Sequence, residues 1–188
     1  MKNNIFNTEH LQSIYKDINN PLEDRIKALI LDTALTYRSP DKVASEGNVC
    51  KYHITNGNKP KKCAFGRLIP TNDARRLQTS GLGSLALFST DNDRPLYVII
   101  PAEPLLSKKV VTILSRQPEW LLTMPLIVFV AIQDFHDNLF GPLFGPRYGF
   151  VYAPSLKKLT QRRNYILTLD LSKEPTIQSI YKDKGYIQ

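Results

Sequence analysis

The sequence predicts a single α+β domain, mostly helical, with a small antiparallel sheet built on a hairpin around residues 49-68. Three observations carry that prediction. A chain of 188 residues that is 42% hydrophobic is long enough to bury one sizeable core and short for two. Apolar residues recur at helical spacing in several separate segments. The stretch Val49 to Thr55 alternates like a strand and runs into Asn56-Gly57, a pair whose two central positions tolerate positive φ and so favour a hairpin.

Within that domain the chain divides into an N-terminal helix pair (8-37), a Cys-containing hairpin (49-70), a helical half (105-138), and a C-terminal strand, basic helix and tail (148-188). In the first helix Thr8 is the expected N-cap, and Leu11, Ile14, Tyr15 and Ile18 share one face. In the second, Asn20 is the expected cap, Pro21 suits the first helical position, and Leu22, Ile26, Leu29, Ile30 and Thr33 point inward up to Tyr37. Ser39-Pro40 ends it, because a residue before proline avoids helical angles.

A strand returning from the Asn-Gly turn leads towards Cys63. Thr71 to Gln78 reads as a short helix, Ser80 to Asp93 as loop, and Leu96 to Ile100 as a strand closed by Pro101. Leu105, Leu106, Val110, Ile113 and Leu114 mark a further helical stripe, and Pro118 to Leu122 begins a short helix with Trp120 inward. Leu126 to Ile132, seven residues, is the longest apolar run; the length of the segment to Asn138 and the spacing of Ile127, Val130, Ala131 and Phe135 favour helix over strand. Gly141 to Pro146 is an irregular connection, followed by a strand-like Tyr148 to Tyr152 and a basic helix from Ser155. The hexapeptide Gln-Ser-Ile-Tyr-Lys-Asp occurs at Gln12 to Asp17 and again at Gln178 to Asp183, far too short for a solenoid unit.

Residues Met1 to Thr8 are polar and lack the apolar centre of a secretory signal, and no window reaches the length of a membrane span. Cys50 and Cys63 are the only cysteines, too few for a disulfide framework, so the expected location is the cytoplasm of the producing or host cell, with no membrane partner. The sequence leaves open whether the two cysteines pair across the hairpin.

The net charge of +8 is unevenly spread. From Lys51 to Arg76 seven basic residues (Lys51, Lys59, Lys61, Lys62, Arg67, Arg75, Arg76) face one acid, Asp73. Such a field attracts phosphates or an acidic protein surface, against the plainer reading of a solvated, solubilising face. Lys157, Lys158, Arg162 and Arg163 form a second basic group. The expected ligand-binding set is Lys61, Lys62, Arg67, Arg75, Arg76 and Tyr52. Tyr52, Phe65 and Tyr148 beside these cations also suit stacking on single-stranded nucleic acid, a third reading without a nucleic-acid fold signature behind it.

Cys50-Lys51-Tyr52, the Asn-Gly turn and Lys62-Cys63-Ala64-Phe65-Gly66-Arg67-Leu68-Ile69-Pro70 resemble a small family of uncharacterised proteins common in phage and prophage genomes, which carry a Cys-x-Tyr…Lys-Cys-Ala-x-Gly-x-Leu-Ile-Pro pattern. Members also carry a Gln-x-x-His-Asp element late in a helix, matched here by Gln133, His136 and Asp137. The resemblance covers half the chain and implies a phage or mobile-element setting but no reaction.

Two classes of function follow. The first is a non-enzymatic binding or accessory protein that engages an acidic protein or a phosphate-bearing ligand through the basic surface. The alternative is a cysteine-dependent hydrolase or transferase. In it Lys61, Lys62, Arg67 and free amides near Ala64 favour the thiolate of Cys63, His136 is the base, and Asp134 or Asp137 orients the imidazole. Against it stands the ordinary fate of a cysteine, which is burial. Neither cofactor nor metal is expected: Cys50, Cys63 and His53 or His136 lack the tight Cys-x-x-Cys spacing of a zinc knuckle. The phosphate-loop, dinucleotide, zinc-protease and nucleophile-elbow motifs are absent.

Overall fold

The computed structural model describes residues 7–37, 45–46, 49–50, 53–55, 61–78, 88–90, 99–101, 103–138 and 156–188. Among them the chain is mostly helical with small antiparallel pairings, as the sequence predicts.

Helices α1 (Thr8–Lys16) and α2 (Leu22–Thr36) pack against each other. The α1 cap lies one residue earlier than expected: the Asn7 side chain accepts the Glu9 N–H at 2.9 Å. The helix stops at Lys16 because Asp17 turns extended, which leaves Ile18 outside the inward face and 45% exposed. Asn20 does not cap α2. It donates its amide to the Ile14 carbonyl at 3.0 Å and ties the end of α1 to the turn, while Pro21 occupies the cap position.

Strand β1 (Ser45–Glu46) pairs with β2 (Val49–Cys50), and β3 (His53–Ile54) pairs with β4 (Lys61–Lys62), both antiparallel. The second pair is the one expected from the alternating segment; the Asn56-Gly57 turn lies outside the described residues. A 3-10 turn (Gly66–Leu68) and α3 (Thr71–Gln78) follow. Strand β5 (Phe88–Thr90) pairs with β6 (Ile99–Pro101), so part of the stretch read as loop is strand: Phe-Ser-Thr, with its aromatic and β-branched residues, suits a pleated edge.

The helical half comprises a 3-10 turn (Glu103–Leu106), α4 (Lys108–Leu114), α5 (Glu119–Leu122) and α6 (Leu126–Asn138). Leu126 to Ile132 is buried on every side of α6, so the continuous apolar run is that of a central helix and not of a strand. The basic helix is α7 (Leu156–Ile166), which packs on α6 and α2. Tyr148 to Tyr152 lies outside the described residues.

The expected C-terminal tail holds one more helix, α8 (Ile177–Asp183), opened by a capping box between Thr176 and Ser179. The repeated hexapeptide thereby acquires a physical account. Both copies are helical but for Asp17, which ends α1; both bury their tyrosine, and both helices pack against α5. Tyr15 donates to Asp32 and stacks on Trp120 with ring centroids 5.3 Å apart, whereas Tyr181 donates to the Leu105 carbonyl at 3.0 Å. One apolar cluster joins α1, α2, Cys63 to Ile69, α3, α4, α5, α6, α7 and α8.

Candidate functional site

The segment from β4 to α3 is fixed by a chain of backbone bonds. The Cys63 carbonyl accepts the Arg67 N–H at 3.0 Å, the Phe65 carbonyl accepts the Leu68 N–H at 2.9 Å, and Pro70 accepts the Ala74 N–H as α3 begins. Cys63, Ala64 and Phe65 are wholly buried, as apolar residues in a tight turn over a core must be. Cys63 carries a free thiol whose sulfur accepts the Gly66 N–H at 3.2 Å.

The two separated motifs meet in the interior. The Phe65 N–H donates to Gln133 Oε1 at 3.2 Å, and Gln133 Nε2 lies 3.4 Å from His136 Nδ1. His136, wholly buried, meets the Tyr37 ring edge-on at 4.7 Å, and Tyr37 donates its hydroxyl to the Lys62 carbonyl at 2.6 Å. Gln133, His136 and Tyr37 thus support the turn that carries Cys63. A nucleophilic thiol needs access to substrate, and both Cys63 and His136 are closed off from solvent. Asp134 and Asp137 lie on α6, with side chains outside the described set.

The basic residues divide by destination. Arg67 turns inward: its guanidinium donates to Asp32 Oδ2 at 2.6 Å and to Thr33 Oγ1 at 2.7 Å, and its side chain is 13% exposed. Tyr15 donates to the same Asp32 oxygen at 3.2 Å; the pKa of its hydroxyl is pushed well up, chiefly by burial. Asp73, the one acid of the basic segment, is buried and accepts from Arg116 and Gln117 of the α4–α5 connection.

Lys61 and Lys62 are half-buried on β4, and Arg75 and Arg76 are exposed on α3. Lys51, Lys59 and Tyr52 lie outside the described residues. Lys62 donates to the Ile69 carbonyl at 3.2 Å, and burial draws its pKa below the usual lysine range; Cys63 beside it opposes this and Arg75 reinforces it.

His53, which the sequence offered only as a spare zinc ligand, pairs in register with Lys62 across β3 and β4 and is 6% exposed. Burial holds its imidazole below the usual histidine range, and the charges of Arg75 and Lys62 add to the effect. Its Nε2 has no hydrogen-bond partner. No group of three or more histidine, cysteine or acidic side chains suited to a metal occurs among the described residues.

Asp32, Asp73 and Tyr15 escape a reading based on basic residues, yet Asp32 had a signal. It stands at i+3 from Leu29 and i+4 from Ala28, on the inward face of α2, where an acid calls for a cationic partner. No helix among the described residues is long and apolar enough to cross a membrane. No family model, no curated protein and no solved structure matches the chain.

Proposed function

We propose that the protein is a binding protein that holds an anionic ligand, a phosphate-bearing molecule or an acidic protein surface, on the face formed by β4 and α3. The observation that carries this reading is the placement of Lys62 opposite His53 across β3 and β4, with α3, which carries the exposed Arg75, packed on β3. Lys62 and Arg75 each disfavour the other's charge, and an incoming anion relieves that repulsion. The nearest acid in sequence, Asp73, is already committed to Arg116 and Gln117. Arg75 is exposed on α3 and forms no ion pair with any described residue.

Inorganic polyphosphate is a direct probe. The double charge reversal Lys61→Glu with Arg75→Glu is expected to weaken its binding about tenfold or more at low salt, and binding to the unaltered protein is expected to weaken as salt rises. Undiminished binding of both polyphosphate and an acidic peptide by the double variant, with its fold intact by circular dichroism, overturns the reading. Loss of binding to an acidic peptide alone, with polyphosphate unaffected, would assign the face to a protein partner.

A further inference from the structure

We infer that His53, Lys62 and Arg75 form an oxyanion site for a phosphoryl group, and that His53 takes up one proton from solvent as the anion enters. The inference rests on the binding reading above and names its ligand class and its regulation.

Three independent features place these groups together. His53 and Lys62 are opposite residues of an antiparallel pair, so their side chains leave the same face with Cβ atoms roughly 5 Å apart. Helix α3 packs directly on β3 and presents Arg75 at its surface. His53 is more than nine-tenths buried, yet its Nε2 is left without a partner, an arrangement that costs about 1–3 kcal/mol unless something outside the chain completes it.

Among the described residues the charges facing His53 are Lys62 from β4 and Arg75 from α3; both are positive, and both favour the neutral ring while the site is empty. A dianion beside the ring reverses the sign of its surroundings. The ring then binds a proton and Nε2 becomes a donor to the anion. Arg75 supplies a planar fork of donors, and Lys62, which spends one donor on the Ile69 carbonyl, keeps two. A phosphoryl group, with two charges and three terminal oxygens, matches three donor groups better than a singly charged carboxylate.

The test follows the His53 ring by NMR in the full chain while sulfate or inorganic phosphate is added. Sulfate serves as the principal probe because its own charge is constant over this pH range. Saturating sulfate is expected to move the His53 titration midpoint upward, and sulfate affinity to fall about tenfold between about pH 5.5 and about pH 7.5. His53→Gln is expected to retain weaker binding with the pH dependence gone. Arg75→Gln, on an exposed position that leaves the fold intact, is expected to weaken sulfate about tenfold and to raise the midpoint of the free ring.

A midpoint that sulfate leaves unmoved overturns the proposal. If Lys61 and Arg76 signals still respond to polyphosphate in that case, the basic-face reading stands and only the His53 site falls; if they do not, both fall. A sulfate affinity that is flat with pH in the unaltered protein also overturns the proton coupling.

Discussion

Arg67 shows how a residue's neighbours in space, and not in sequence, decide its role. In the sequence it is one cation among seven near Cys63; in the structure it is the partner of Asp32 at the bottom of α2. Breaking such a pair strands a buried charge, so Arg67→Met is expected to cost about 3–5 kcal/mol in urea unfolding, against about 2–4 kcal/mol for an ordinary large-to-small core change. The network is not saturated: Asp32 Oδ1 and Arg67 Nε lack partners, so the double change Asp32→Leu with Arg67→Met is expected to cost less than Arg67→Met alone, about 1–3 kcal/mol for the Tyr15 hydroxyl it strands. A double-mutant cycle measures both.

His53 makes a prediction of opposite character. Its folded-state pKa is lowered from the ordinary 6.5, so the unfolded chain binds more protons on the acid side. The stabilisation is fully present above the unfolded value and is lost as pH falls from 6.5 through the folded one. Urea midpoints are expected to decline across that window, and His53→Gln is expected to flatten the decline.

At the scale of elements, strong local signals and tertiary context can be separated. The bounds of α3 follow from Pro70 before it and a compact polar-apolar pattern within it, and Thr71–Gln78 is helical as read. Helix α6 was legible from length and spacing, although the contacts that bury it all round come from elements far away in sequence. Strand β5 was not legible, because three residues carry no periodicity and their partner β6 begins nine residues later. Helix α8 was less legible, although Thr176 and Ser179 write its start. A serine replaces the usual Glu or Gln of the capping box and accepts no less reciprocally: Thr176 Oγ1 takes the Ser179 N–H at 3.0 Å, and Ser179 Oγ takes the Thr176 N–H at 3.0 Å. Thr176→Ala is expected to cost about 1 kcal/mol, and Thr176→Asp to restore most of it, by thermal denaturation.

Over the whole molecule, the candidate site was half legible. Lys62 and Arg75 stood out by charge, whereas His53 required the strand register that sets it opposite Lys62. The motif around Cys63 stood out as well, but its sequence could not distinguish reactivity from burial, since the same small residues that admit a substrate also let a turn close over a core. The structure gives Cys63, Phe65, Gln133, His136 and Tyr37 a shared structural task, joining β4 and the following turn to α6. Alkylation of Cys63 is therefore expected to be slow in native protein and to rise with denaturant in parallel with global unfolding, by intact mass. Rapid alkylation under native conditions would show a local opening that exposes the thiol without unfolding.

Helix α5 spans only four residues, too few to persist in isolation, and it lies against α1 and α8. The buried Arg25 guanidinium fastens it by donating to the Trp120 carbonyl at 2.8 Å, across 95 residues of chain, and also to the Tyr15 carbonyl. A contact so distant in sequence carries a large cost of loop closure, so it is expected to form late in folding. Truncating Arg25 is accordingly expected to accelerate unfolding and to leave the folding rate nearly unchanged, as read from the two limbs of a chevron plot.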